Sequence, residues 1–400
     1  MSLGSTSPMS LIPVVDGRLR TTSLCLAVAS GSRDDPDGRG GAAHLLEHLV
    51  MSVPMADGVS FSERVERLGG RTNAETGLEQ VLYYAQVHAD DADETAALLL
   101  RAFTAPDFSQ EALDDEREVV FRELAAAAAD PADAVQDAVL AALFPGHPLG
   151  RPVGGDPAQL TEITLDDIRA AHAALVSAPS VLAVVGPRIP AALEGHPAAT
   201  APAPGAPQPL AGPQDGTGAL VPWPLDADHC WVCLGARSPK AGSALRPAYT
   251  LLAQLLGSSP SSLLYRALRG ERQLSYAFQT WDRGYREAGA WRVLVGTSPH
   301  RADEVVEVVR GLLAALAAEG PAGPDLAAAR RQAEMSLLLD TEEPLEHARL
   351  AAERTAAGPR PWSLEAEIAA LRAVTADQIR AAAADLSGRL LVTVRPEGPR

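Results

Sequence analysis

The stretch ITLDDIRAAHAALVSAPSVLAVVG, Ile163 to Gly186, has a counterpart near the C-terminus in VTADQIRAAAADLSGRLLVTV, Val374 to Val394. In each, a threonine (Thr164 or Thr375) stands three residues before a side chain that can reach back to its backbone (Asp167 or Gln378). That spacing is a capping box and marks a helix start. Each helix runs into a short apolar segment, Val181–Val185 or Leu390–Val394, that reads as a strand. The copies lie half a chain apart, too far for a solenoid repeat. They imply two domains of one topology, arising by duplication.

Between them lies PAATAPAPGAPQPLAGPQDG, residues 197–216. Proline and alanine with little else form no packed element, so this reads as an extended linker. It separates a first domain, 1–196, from a second, 217–400. The first reads as strand (Thr22–Ala29), helices (Ala42–Met51, Phe61–Leu68), strand (Val81–Val87), helices (Ala92–Ala102, Gln110–Ala128), then a looser region and the capped ending. The second reads as strand (His229–Gly235), helices (Arg246–Leu256, Ser262–Gly270), strands through Leu274–Gly296, helices (Ala302–Ala318, Pro324–Leu339) and the same ending. The predicted class is α+β: two tandem homologous domains, each a mostly antiparallel sheet with helices packed on one face.

Composition narrows the function. Four hundred residues with 46% hydrophobic content fit a folded chain of two or a few domains. A net charge of −17 argues against nucleic acid, which needs clustered Lys and Arg, and is compatible with a basic peptide substrate. Three cysteines are too few for a disulfide framework. Cys230 and Cys233 form a lone CxxC in a segment that reads as a strand, where residues three apart point to opposite faces. They are read as strand residues, not as half a zinc site or a redox pair. No basic n-region with a long apolar core opens the sequence, and no later segment has about 18 uninterrupted apolar residues. A soluble, cytoplasmic protein without membrane contact is expected.

The chemistry lies in GAAHLLEHLVM, Gly41 to Met51. Imidazoles and a carboxylate are costly to bury without partners. His44 and His48, four apart, share a helix face and can hold one zinc through two nitrogens. Glu47 sits beside them, where a general base for the nucleophilic water must stand. HxxEH is the inverse of the HExxH zinc-peptidase motif. A third ligand is needed, and the helix EALDDEREVVFRELAAAA offers Glu123. Glu116, two turns earlier on the same face, can reach a metal-binding histidine from behind. On spacing alone, a pair of solvated glutamates on a charged helix is an equal alternative.

HLLEH, then ERLGGRTNAETGLEQVLYYAQV (Glu66–Val87), then EREVVFRE (Glu116–Glu123) together resemble the pitrilysin–insulinase family of zinc metallopeptidases, in the short two-domain branch like mitochondrial processing peptidase. HPLGRPVGG (His147–Gly155) matches a recurring family loop, with His147 structural. SSLLYRALRGERQLSYAF (Ser261–Phe278) looks like the family segment whose Arg and Tyr, seven apart, contact substrate; here these are Arg269 and Tyr276. It departs at Gly257-Ser258-Ser259-Pro260, Leu263, Gln273 and Ser275. The resemblance implies one Zn²⁺ per chain on His44, His48 and Glu123, with Glu47 as base. It implies that Tyr276 donates to the oxygen gaining charge and Arg269 holds a substrate carbonyl. It also implies that Arg71–Gly77 forms a strand edge taking an extended peptide, with Asn73 and Ala74 touching substrate. The expected function is a zinc endopeptidase acting on peptides or unfolded segments, basic or leader peptides among them. It would work in a closed chamber built by a homodimer, or by a heterodimer with a related chain, Arg269 and Tyr276 serving the other subunit's site. The alternatives are a catalytic subunit that needs a non-identical partner, and a non-catalytic structural member.

Overall fold

The structure, a computed structural model, describes residues 9–55, 57–199, 208–212, 228–257 and 259–396. Its first elements are β1 (Met9–Val15), β2 (Thr21–Val28), α1 (Ala42–Ser52), α2 (Phe61–Arg67), β3 (Arg71–Thr76), β4 (Val81–His88), α3 (Ala92–Thr104) and α4 (Gln110–Ala129). Then come α5 (Pro131–Leu143), α6 (Pro157–Thr161), α7 (Leu165–Ser177) and β5 (Ser180–Gly186). The second half adds β6 (Cys230–Ser238), α8 (Arg246–Leu256), β7 (Ala277–Gly284), β8 (Gly289–Thr297), α9 (Ala302–Glu319) and α10 (Gly323–Glu342). It closes with α11 (Pro344–Ala357), α12 (Leu364–Ala373), α13 (Ala376–Ser387) and β9 (Leu391–Pro396).

Two sheets form, ordered β1-β5-β2-β4-β3 and β7-β8-β6-β9. The second repeats the first, with β7, β8, β6 and β9 in the places of β3, β4, β2 and β5. All pairings are antiparallel except β1 with β5. The α+β class and the duplicated topology read from the sequence are therefore borne out. Both capping boxes are present: Thr164 and Thr375 accept from the backbone of Asp167 and Gln378, whose side chains accept in return.

The compact units are not the two contiguous halves. The first unit comprises 1–124, 152–204 and 338–363; the second comprises 125–151, 205–337 and 364–400. Each half has given one helix to the other's sheet. In the first unit, Leu24, Leu26, Tyr83 and Leu182 face the core shared with Leu45, Leu49 and Phe103. On the reverse side, Cys25, Ala27, Ala183 and Val185 pack against Leu345, Ala348, Ala351 and Ala352 of α11. Alanine on α11 lets the helix approach the sheet closely. Helices thus cover the second face as well as the first, and β5 is buried along its whole length. In the second unit α5 lies along β6 and β9, with Val139 and Leu143 against Gly235.

Most of the expected linker at 197–216 lies outside the described residues. Its first residues run beside β1: Leu11 N donates to Pro197 O at 2.8 Å, and Ala199 N to Leu11 O at 2.9 Å. Cys230 and Cys233 are buried strand residues, and none of the three cysteines forms a disulfide. Burial pushes the Cys233 thiol up to about 12. Among the described residues, no helix is long and apolar enough to cross a membrane.

Candidate metal centre

Helix α1 starts from Gly41, whose φ of +100° only glycine adopts without strain. Its first amides are held from outside: Asp35 accepts from Gly41 N at 2.8 Å and from Ala43 N at 2.9 Å. The Gly154-Gly155 turn of the HPLGRPVGG loop closes against this end. A Cβ on Gly155 would stand 2.4 Å from Gly41 Cα, and one on Gly154 would stand 2.4 Å from a Leu124 methyl. Two glycine pairs therefore let the loop lie against α1, beside the His44 ring. Burial raises the Asp35 carboxyl to about 6, even though the backbone bonds from Gly41 and Ala43 pull the other way.

Leu45 and Leu49 anchor α1 in the core. The helix turns His44 and His48 toward α4, their rings edge to face with centroids 4.9 Å apart. Glu123 Oε2 lies 3.4 Å from His44 Nε2 and 3.3 Å from His48 Nε2. Glu116 Oε2 lies 3.1 Å from His48 Nδ1, which fixes that ring nitrogen as the donor and leaves Nε2 for a metal. The sequence left open whether Glu116 and Glu123 are merely solvated; both meet the histidines. Burial lowers the His44 pKa, with help from His48. Burial also pulls His48 down, but its bond to Glu116 and the charges of Glu123 and Glu47 outweigh it, and the net shift is upward. The bond to His48 lowers Glu116.

Glu47 is only 8% exposed. Burial raises its pKa, against a bond from the Thr76 hydroxyl to Oε2 at 2.7 Å. Neither Thr76 nor Asp35 was singled out by sequence. A threonine ending a strand and an aspartate in a loop carry no signal until their partners are placed.

His44, Glu47, His48 and Glu123 line a cavity of about 540 Å³ with Met51, Ser62 and residues 72–76 of β3. Among the described residues, β3 pairs only with β4 and forms the sheet edge. Ala74 is buried on the α1 side. The side chain of Asn73 leans to the other side, beside Tyr84. Both residues line the cavity, Ala74 from the α1 side and Asn73 with its side chain beside Tyr84.

Do these donors fit zinc? A tetrahedral ion with bonds of about 2.0–2.1 Å holds its ligands roughly 3.3–3.4 Å apart. The two carboxylate-to-imidazole separations match that edge. Two imidazoles and one carboxylate are a zinc donor set, and three protein ligands leave the fourth position that catalysis needs. Among the described residues, His44, His48 and Glu123 are the only cluster of metal-capable side chains.

The family model described as Insulinase (Peptidase family M16) matches residues 16–157, the span that holds this cluster. An uncharacterised zinc protease of Mycobacterium leprae is 30% identical over 320 residues, 76% of this chain and 70% of that protein. The chain belongs to the insulinase family, peptidase family M16. A second model of the family, Peptidase M16 inactive domain, matches residues 162–333. That label suits α8, which follows β6 as α1 follows β2 but carries no histidine or glutamate. A probable mitochondrial-processing peptidase β subunit of Arabidopsis thaliana is 29% identical over 168 residues, 41% of this chain and 32% of that one. The crystal structure of a peptidase M16 inactive domain from Pseudomonas fluorescens superposes with a TM-score of 0.83 at 19% identity, covering 99% of this chain and 98% of that one.

Arg269 and Tyr276 belong to the second unit. The Arg269 guanidinium lies over both the Tyr265 and Tyr276 rings, 5.1 and 5.4 Å from their centroids, and Tyr276 is 74% exposed. The helix expected over Ser262–Gly270 is a π-helix over Tyr265–Glu271, followed by Gln273 at φ +53°. Wide turns of this kind gather at functional sites. Ser275, where the family usually has alanine, is buried and donates to Gly296 O at 2.6 Å, pinning the loop that presents Tyr276. Ser258 lies outside the described residues. His147 is structural as expected, its Nδ1 accepting from Leu149 N at 3.1 Å.

Proposed function

We propose that this chain is a zinc-dependent endopeptidase that cleaves extended peptides laid along the edge of β3. The observation that carries the reading is the pairing of a three-donor set with a separate, buried carboxylate. Glu47 stands beside the set with its own partner, Thr76, and is not one of the three clustered donors. Zinc, when bound to His44, His48 and Glu123, supplies the Lewis acidity that makes water nucleophilic at neutral pH. Glu47 takes the proton from that water and returns it to the leaving amine. The free edge of β3 holds the peptide by main-chain hydrogen bonds, as strand addition does elsewhere. Tyr276 donates to the oxygen that gains charge and Arg269 holds a neighbouring carbonyl, in a dimer of like or related chains. The acidic surface favours basic peptides, including leader segments.

The test is digestion of a peptide library by the purified chain, with its mass in solution measured alongside. Cleavage that stops with chelator and returns with zinc is expected. A chain holding one zinc yet cleaving nothing, alone or with a related chain, would sink the reading. Glu116→Gln gives a finer prediction. Glutamine still offers His48 Nδ1–H an oxygen but removes the negative charge that strengthens the imidazole as a ligand, and zinc affinity should fall roughly 10- to 100-fold. Competition against a chelator of known affinity measures this, with the circular dichroism spectrum unchanged.

A further inference from the structure

Thr76 joins the edge strand β3 to Glu47, the proposed base. It is the last residue of β3, paired across the ladder with Val81. It shares the face of Ala74, so its side chain points toward α1. There its hydroxyl donates to Glu47 Oε2 at 2.7 Å. A β-branched residue in a strand has a stiff χ1, so the hydroxyl is aimed before substrate arrives.

The backbone around it is clamped as well. Beyond Thr76, Gly77 N donates to Gln80 O at 2.7 Å, closing the turn. Ser32 N and Arg33 N then donate to Gly77 O and Leu78 O, each at 3.0 Å. Gly31 allows this approach, since a Cβ there would stand 2.4 Å from Gly77 O. The strand end is therefore fixed from the ladder on one side and from residues 31–33 on the other.

A hydroxyl has one proton to give. Given to Oε2, and joined by a bond from the Thr76 backbone to the same carboxylate, it fixes the orientation in which Glu47 faces the cavity. We propose that Thr76 is a positioning residue: its hydroxyl sets the orientation of the Glu47 carboxylate and ties it to the strand on which substrate is laid. The inference rests on Glu47 being the base, and it adds a residue that motif matching does not assign.

Two variants separate the hydroxyl from the side-chain shape. Thr76→Val keeps shape and strand propensity but loses the donor; Thr76→Ser keeps the donor. Each is purified with zinc, its metal content and melting temperature are recorded, and its crystal structure is determined. In Thr76→Val we expect one zinc per chain, a Glu47 carboxylate turned from its wild-type position, and kcat lower by roughly tenfold or more with little change in KM. Thr76→Ser should restore both the carboxylate position and kcat. An unmoved Glu47 in Thr76→Val would overturn the inference, as would Ser and Val variants equally impaired. If the wild type cleaves nothing, the proposed activity falls, and the position of Glu47 in the two crystal structures still decides the role of Thr76.

Discussion

Glu47→Gln should lower kcat roughly a hundred- to ten-thousandfold while one zinc per chain remains bound. Glutamine keeps the shape of the side chain and offers Thr76 an oxygen to donate to, so the cavity is undisturbed. What it lacks is a basic oxygen. The three metal donors are other residues, so metal content measured by atomic emission should match wild type. Full activity with zinc in place would mean that another group moves the proton. A second readout carries the opposite sign. Burial raises the Glu47 pKa, so the folded chain holds that proton more tightly than the unfolded chain. The group's contribution to stability is then fully present below the ordinary carboxylate pKa and is lost as pH rises through the raised one. In metal-free protein at neutral pH, Glu47→Gln should melt above wild type; the gap should close in acid. Calorimetry across pH reads this directly. A variant that loses activity and gains stability is the signature of a functional group buried at a cost.

The candidate metal residues stand out in the sequence because they break a local rule. Three polar side chains among Leu45, Leu46, Leu49 and Val50 leave α1 no broad solvated face, and a shared ligand would account for them. The capping boxes at Thr164 and Thr375 were legible for a different reason, since their chemistry is complete within four residues. The exchanged helices were not. α11 buries Ala348, Ala351 and Ala352, and alanine marks neither a buried nor an exposed face. Its destination is set by the sheet it covers, across the whole second half of the chain. β1 was hidden by Pro13, which reads against a strand interior, although an outer strand tolerates it. β3 is almost wholly polar, so periodicity says nothing of it; the family resemblance alone placed it at an edge. Thr76 and Asp35 were missed because each acts on a helix more than five residues away in sequence, by a contact that exists only after folding.

His48→Ala should empty the site. The ring is one of three donors, and its other nitrogen is the partner of Glu116. Its loss leaves His44 and Glu123 as two ligands, too few to hold zinc against water at ordinary free concentrations. Zinc content should fall from one per chain to about a tenth or less after dialysis against micromolar metal, a threshold set by the affinity of three-ligand sites. The helix itself should persist, because its hold on the core comes from Leu45, Leu46 and Leu49, on which the histidine has no bearing. Glu116 then loses the bond that lowers its pKa most, and its side chain is only 18% exposed, but its bond to Ser52 remains and the space left by the ring admits water, which limits the cost to folding. The pattern separates the four residues. Glu116→Gln weakens zinc binding and keeps the site; Glu47→Gln keeps zinc and loses the reaction; Thr76→Val keeps both zinc and the base but misaims the base; His48→Ala loses the metal and activity together. If His48→Ala retained a full zinc complement, the ion would have to lie elsewhere, and the arrangement of Glu47 beside it would lose its meaning.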